Sequence, residues 1–96
     1  MSGELAERSV VVTGATGGMG RAITSTLAAA GAHVLATDLT DAGADALIAE
    51  ADGSPGTVRF EPADVADGEQ VARIVAAATA RTGRLDAAVN AAAIEF

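Results

Sequence analysis

The chain has no cysteine, no tyrosine and no lysine, and only two of its 96 residues are aromatic. Without cysteine it forms no disulfide framework, no thiolate metal site and no cysteine nucleophile, so a reducing compartment suits it. We therefore take the cytoplasm as the default location. No apolar run approaches the length of about 18 residues that a membrane span needs, and residues 1–9 lack the apolar stretch of a signal peptide. We expect no membrane segment.

Basic side chains are also scarce. Thirteen acidic residues outweigh six basic ones, giving a net charge of -7, and every basic residue is an arginine: Arg8, Arg21, Arg59, Arg73, Arg81 and Arg84. Because binding to nucleic acid or anionic lipid depends on clustered Arg and Lys, this balance argues against both partners. No Cys/His set or grouped carboxylate set stands at ligand spacing, so we expect no metal site.

Four short apolar runs alternate with three helical patterns. The runs cover residues 9–13, 33–37, 57–61 and 85–90, and the helices are predicted over 18–30, from Thr40 or Asp41 to Ala51, and from a capping box at Asp67 and Gln70 to Gly83. Short loops between such elements imply a parallel sheet with right-handed crossovers. The predicted fold is α/β, a doubly wound parallel sheet with strand order 3-2-1-4 over residues 1–96, and its ligand crevice opens at the carboxyl ends of strands 1 and 4.

Apolar spacing also predicts which helix faces are buried. In the second helix the packing face is expected at Ala42, Ala46, Leu47 and Ala49. In the third, Val71, Ile74, Val75 and Ala78 make an i, i+3, i+4, i+7 stripe.

A glycine cluster follows the first strand directly and opens the first helix. It reads Thr13-Gly14-Ala15-Thr16-Gly17-Gly18-Met19-Gly20. Glycine removes the Cβ where the backbone must approach a pyrophosphate, and a helix N-terminus offers N–H groups and partial positive charge. Such a cluster can also simply form a turn in a loop, but its position between a strand and a helix favours a nucleotide-binding site. A nucleoside-triphosphatase loop is excluded because it needs a lysine.

Three polar residues follow the other strands. Asp38 ends strand two, 18 residues beyond Gly20, close to where a dinucleotide fold places the carboxylate that accepts from the adenosine ribose. Its alternative is a turn or helix-cap aspartate. Asp64 either caps a loop or lines an adenine pocket, and Asn90 either ties the loop backbone or forms a turn. The single histidine, His33, begins a strand and is interpreted as structural rather than as a base.

These motifs together resemble the N-terminal part of the short-chain dehydrogenase/reductase family, over essentially the whole chain. The loop matches the family pattern Thr-Gly-x-x-x-Gly-x-Gly, and Asp64-Val65 resembles its adenine-pocket Asp-Val pair. Residues 85–93 resemble its Leu-Asp-x-x-Val-Asn-Asn-Ala-Gly segment, with Asn90 and Ala92 in place but alanine at Ala91 and Ala93. The loop also fits the extended, epimerase-like branch through Gly14, Gly17 and Gly20, but the Asn90 segment favours the classical pattern.

The resemblance implies an oxidoreductase that moves a hydride between a nicotinamide and an alcohol or carbonyl substrate, using Ser, Tyr and Lys beyond the fourth strand. This chain has neither Tyr nor Lys, so we expect it to be the dinucleotide-binding portion and to be inactive alone, with no catalytic residue of its own. The cofactor-binding residues implied are Gly14, Gly18, Met19 and Gly20 for the pyrophosphate, Asp38 for the ribose, Asp64 and Val65 for the adenine, and Asn90, Ala92 and Ile94 toward the nicotinamide.

The expected coenzyme is NAD rather than NADP. A 2′-phosphate beside Asp38 would meet like charge, and Gly17 and Leu39 stand where the resemblance places the basic residue of NADP-preferring members. Arg21 is expected to point toward phosphate or solvent rather than the ribose.

Other readings stay open at this point. One is a non-catalytic nucleotide-binding regulatory or interaction module; another is an extended-branch epimerase or a Rossmann-like domain for another adenosine cofactor. Strand four would present an unpaired edge, so we also expect a homo-oligomer.

Overall fold

Four parallel strands form one sheet in the computed structural model, which describes residues 3–91. They are β1 (Ser9–Thr13), β2 (His33–Thr37), β3 (Thr57–Phe60) and β4 (Ala87–Asn90), in the order β3-β2-β1-β4. Every neighbouring pair is parallel. The predicted strand order is therefore confirmed, and β1, a continuous apolar run in the sequence, lies near the middle of the sheet with both faces covered.

Three helices connect the strands: α1 (Gly18–Ala29), α2 (Ala44–Glu50) and α3 (Gly68–Thr82). Helix α1 ends just before Gly31, which has a φ of +102° and serves as the left-handed cap that the sequence predicts. At the start of α3 the Asp67 side chain accepts hydrogen bonds from the backbone N–H groups of Glu69 and Gln70. No helix within residues 3–91 is long and apolar enough to cross a membrane.

Helix α2 starts later than predicted. It begins at Ala44 rather than at Thr40 or Asp41, because Gly43 precedes it with a φ of +85°, outside the helical region. With this start only two turns remain, and the buried face is Ala44 and Leu47. The predicted face was right for Leu47 and wrong for three alanines, which are exposed: Ala42, Ala46 and Ala49.

The last two strands are also shorter than predicted, since β3 stops at Phe60 and β4 starts at Ala87. Before β4, the Asp86 carboxylate accepts a hydrogen bond from the Ser9 backbone N–H at 2.7 Å, while the Asp86 N–H donates to the Ser9 carbonyl. Before β4 begins, the Asp86 side chain thus accepts the Ser9 N–H hydrogen bond that a backbone carbonyl would accept in a regular strand pair.

The core has two layers, one on each face of the sheet. Val10, Val12, Val34 and Ala36 face α1 and α2, where Leu47 is fully buried. On the opposite face Val11 and Leu35 pack against Ile74 and Ala78 of α3. The α3 stripe is only half covered, because Val71 and Val75 remain 37% and 38% exposed.

Candidate functional site

The loop from Gly14 to Gly20 joins β1 to α1 at the carboxyl edge of the sheet, and its glycines differ in what they permit. A Cβ on Gly20 would lie 2.1 Å from the Gly14 carbonyl oxygen and 2.7 Å from the Ala15 Cα, so the fold itself requires glycine there. A Cβ on Gly18 would meet nothing within 4 Å. Gly18 therefore has no packing reason to be glycine, and its bare backbone faces open space.

The first turn of α1 is open to an anion. Its N-cap is Gly17, which has no side chain to satisfy the free N–H groups, and the first turn contains no acidic residue. The following Met19 is half exposed. The unpaired N–H groups and the helix dipole together make this turn favourable for a negatively charged group.

The Asp38 carboxylate, at the end of β2, is held against the glycine loop. Its Oδ2 accepts from the Thr16 hydroxyl at 2.6 Å and from the Thr16 N–H at 3.2 Å, and its Oδ1 accepts from the Leu39 N–H at 2.9 Å. Burial by itself raises the pKa of Asp38, but these three hydrogen bonds outweigh it and hold the pKa below the ordinary aspartate value. Asp38 is therefore ionised at neutral pH.

A small cavity of about 130 Å³ lies beside Asp38. Its walls are Gly14, Asp38, Leu39, Ala63, Asp64 and Val65. The fold thus brings the glycine loop, Asp38 and the Asp64-Val65 pair together around one space, although they are distant in sequence. Asp64 also organises its own loop: its Oδ1 accepts from the Ala66 N–H, and its N–H donates to Gln70 Oε1 at 2.8 Å.

Asn90 ends β4 and lines a second cavity. Its Oδ1 accepts from the Thr13 hydroxyl at 2.9 Å, and the two residues are cross-strand partners. Asn90 is thus tied to a side chain of β1, which neither of its sequence-based interpretations foresaw. A larger apolar cavity of about 260 Å³ runs from Asn90 and Val65 along β4 and α3. Ala92 and Ile94 lie outside the described residues.

No arginine within residues 3–91 forms a hydrogen bond or ion pair with Asp38. The Arg21 guanidinium donates to both carboxylate oxygens of Glu50 on α2, at 3.3 and 2.5 Å, and this pairing raises the pKa of Arg21. It is therefore committed to Glu50. Arg8 and Arg84 bind Asp86, and Arg73 binds the Pro62 carbonyl. His33 lies at the amino end of the sheet, where its Nδ1 is 2.8 Å from the Thr57 hydroxyl.

Sequence reasoning missed Thr16 and Gln70, which hold the two aspartates or their loops in place. Thr16 had a signal, a hydroxyl inside the glycine loop. Gln70 was noticed only as part of a capping box, whereas its amide bonds both Asp67 and the backbone of Asp64.

A family model described as short chain dehydrogenase matches residues 8–96. The chain belongs to the short-chain dehydrogenase family. Among curated relatives, it is 43% identical over 84 residues to D-threitol dehydrogenase of Mycolicibacterium smegmatis, covering 88% of this chain and 32% of that protein. It is 40% identical over 92 residues to L-xylulose reductase of Bos taurus, and this match covers 96% of this chain and 34% of that protein.

Solved structures of short-chain dehydrogenases share the fold. A Burkholderia xenovorans short-chain dehydrogenase/reductase superposes with a TM-score of 0.84 at 40% identity, covering 94% of this chain and 38% of that one. A short-chain dehydrogenase/reductase of the glucose/ribitol dehydrogenase type from Brucella melitensis superposes with a TM-score of 0.79 at 39% identity. This match covers 92% of this chain and 36% of that one. The chain therefore spans about a third of the length of the relatives it matches.

Proposed function

We propose that this chain is the dinucleotide-binding portion of a short-chain dehydrogenase that transfers a hydride between NAD(H) and a small alcohol or carbonyl compound. The observation that carries the proposal is the ionised Asp38 carboxylate fixed across the glycine loop from the uncapped end of α1. A cation-poor cleft with a fixed carboxylate and free N–H groups suits a ligand that has both hydroxyls and a bridging phosphate. The relatives, named as dehydrogenases and reductases, support this reading over a purely regulatory module.

The proposed roles of the residues are those that the family resemblance implies. The backbone of Gly14, Gly18, Met19 and Gly20 would hold the pyrophosphate, and Asp38 would accept from the adenosine ribose. Asp64 and Val65 would line the adenine, and Asn90, Ala92 and Ile94 would face the nicotinamide side. Bound NAD would supply the hydride acceptor. The chain's own residues bind and orient it, because with no tyrosine and no lysine they offer no proton donor of the family's kind.

The same geometry supports NAD over NADP. A 2′-phosphate near Asp38 would meet a negative charge that is maintained by three hydrogen bonds. Arg21, which directly follows the glycine loop in the sequence, is paired with Glu50. Like charge without a compensating cation favours the unphosphorylated ribose, and we expect discrimination of about tenfold or more, which corresponds to about 1.4 kcal/mol.

Calorimetric titration of NAD⁺ and NADP⁺ into the chain tests this proposal. Asp38→Ala should weaken NAD⁺ and erode the preference. Asp41→Ala is the matched control, because it removes an exposed carboxylate three residues away with the same change in net charge. Equal or tighter NADP⁺ binding by the unmutated chain would show that Asp38 is misassigned.

We also propose that the protein is a homo-oligomer. Within the described residues β4 pairs only with β1, and the neighbouring Val71 and Val75 are partly exposed, so an open edge and an apolar surface lie together. Light scattering over a concentration series tests this, and a strict monomer would refute it. The cytoplasmic location stays a prediction from composition.

A further inference from the structure

Aspartate is followed directly by glycine at two places in the sequence, Asp52-Gly53 and Asp67-Gly68. In such a pair the backbone nitrogen of the glycine can attack the carboxyl carbon of the aspartate side chain, because glycine has no Cβ to obstruct the approach. The attack closes a five-membered imide ring, and hydrolysis of that ring can leave the chain linked through the side chain as isoaspartate. The sequence does not distinguish the two pairs, but the structure does.

The first pair, Asp52-Gly53, is free to react. It lies in the turn between α2 and β3, where both residues are exposed. Within residues 3–91 nothing is hydrogen-bonded to the Asp52 carboxyl or to the Gly53 N–H, whereas the N–H groups of Asp52 and Ser54 donate to backbone carbonyls at 3.1 and 3.0 Å. A Cβ on Gly53 would meet nothing within 4 Å. The turn therefore has room to bring the Gly53 nitrogen to the carboxyl carbon.

The second pair is held by the N-terminal cap of α3. Asp67 Oδ1 accepts from the N–H groups of Glu69 and Gln70 at 2.9 and 3.4 Å, and its Oδ2 accepts from the Gln70 side-chain amide at 3.1 Å. Ring closure would break all three bonds and uncap the helix. These bonds, the one from the Gln70 amide above all, also hold the pKa of Asp67 below the ordinary aspartate value. The protonated acid, which is the form that reacts, is depleted as a result.

We infer that Asp52-Gly53 is a modification site at which isoaspartate forms spontaneously, and that the folded chain protects Asp67-Gly68. The class of enzyme that acts on such a product is a carboxyl methyltransferase specific for isoaspartate, with S-adenosylmethionine as the methyl donor. The exposed turn leaves the new carboxylate accessible to it. The inference goes beyond the proposed function and does not depend on coenzyme binding, because the turn lies at the amino edge of the sheet, opposite the glycine loop.

The reaction balances without any oxidant or reductant. The Gly53 nitrogen bonds to Cγ of the protonated Asp52 side chain, and the amide proton and the carboxyl hydroxyl leave together as one water molecule. Water then adds to one of the two imide carbonyls. Breaking the bond between the nitrogen and the main-chain carbonyl carbon gives isoaspartate, whereas breaking the bond between the nitrogen and Cγ restores aspartate. Both products have the same mass and carry one carboxyl group.

Ageing the 96-residue chain in mildly acidic buffer tests this inference. Samples are kept folded or in urea, and circular dichroism confirms each state. Peptide mapping with electron-transfer fragmentation distinguishes isoaspartate from aspartate at each position, and methyl transfer by a purified isoaspartyl methyltransferase measures the total.

Three variants sharpen the test. Asp52→Glu removes the first site, because attack on glutamate would need a six-membered ring. Asp45→Glu is its matched control, since Asp45 is also exposed but is followed by alanine. Gln70→Ala removes the side-chain amide that holds Asp67.

We expect isoaspartate to accumulate about tenfold or more faster at Asp52 than at Asp67 in the folded chain, because ring closure at Asp67 must break hydrogen bonds to a charged group. In urea the two rates should become similar. Asp52→Glu should remove most of the methyl acceptance of the folded chain, and Asp45→Glu should leave it unchanged. Gln70→Ala should raise the rate at Asp67 about threefold or more.

Equal rates at the two positions in the folded chain, or a faster rate at Asp67, overturn the inference. So does a folded chain without isoaspartate at Asp52 when the sample in urea has already formed it, and so does methyl acceptance that survives Asp52→Glu. The proposed function stands in each of these cases, because none of the measurements involves a coenzyme.

Discussion

Two alanine substitutions in one loop should separate folding from binding. Gly18→Ala adds a Cβ that meets no atom within 4 Å, whereas Gly20→Ala adds one 2.1 Å from the Gly14 carbonyl oxygen and 2.8 Å from the Gly14 carbonyl carbon. The two changes are chemically identical and lie two residues apart. Any difference between them must therefore come from what surrounds each position.

For Gly20→Ala the obstructing atoms belong to the backbone, so no side chain can rotate out of the way. Real Cβ atoms are essentially never closer than 3.0 Å to such atoms, so the loop must retreat from α1 by nearly an ångström. Overpacking of this kind costs about 1 to 3 kcal/mol. In a domain of about this size each kcal/mol lowers the Tm by about 4 to 8 °C, so we expect the Tm to fall by about 4 to 24 °C.

Gly18→Ala creates no steric clash within the fold, and alanine is a better helix former than glycine. Its Tm should stay the same or rise by a few degrees. The new methyl group would instead occupy the space that the proposed pyrophosphate needs, and NAD⁺ affinity should fall about tenfold or more.

Circular dichroism melts and calorimetric titrations of both variants check this. A Gly20→Ala chain that melts like the wild type would refute the packing argument. A Gly18→Ala chain that binds NAD⁺ at full strength would show that no ligand approaches Gly18.

Further predictions concern activity, stability and pH. The 96-residue chain should show no steady-state turnover of nicotinamide coenzyme with alcohols or ketones, and turnover abolished by a mutation within it would contradict the missing proton donor. Leu47→Ala should cost about 2 to 5 kcal/mol in urea unfolding, because Leu47 is fully buried, whereas Ile48→Ala, 42% exposed, should cost well under half as much; equal costs would refute the assigned α2 face. Hydrogen bonds from Gln70 and from the Ser9 N–H lower the pKa values of Asp67 and Asp86 respectively in the fold. Their stabilising contribution is therefore fully present above the ordinary aspartate pKa and is lost as the pH falls from that value through the lowered pKa of the folded state. The Tm should therefore be nearly flat from pH 7 to about 5 and fall below about pH 4, and Asp86→Asn should make that fall shallower; a Tm that rises on acidification would refute the sign.

The order of elements was available from the sequence because it depends on neighbouring residues. Alternation between β-branched runs and helical spacing identified the four strands and three helices found within residues 3–91, and the short connections then restricted the sheet to the order 3-2-1-4. The glycine loop was recognisable for the same reason, since its position between a strand and a helix is a local property. The cap at Gly31 also follows from its place directly after a helical run.

Packing between segments that are distant in the sequence decided which glycine is structurally required, where β4 begins and which side chain holds Asp38. The sequence pattern treats Gly18 and Gly20 alike, and only the approach of α1 to the Gly14 carbonyl makes one structural and leaves the other free. The late start of β4 depends on a contact between Ser9 and Asp86, 77 residues apart. Likewise Thr16 and Asp38 are 22 residues apart, and periodicity cannot predict that a loop hydroxyl donates its proton to the carboxylate at the end of another strand. Local spacing determines which residues reach the edge of the sheet, but hydrogen bonds formed there depend on atomic distances that exist only once the strands are side by side.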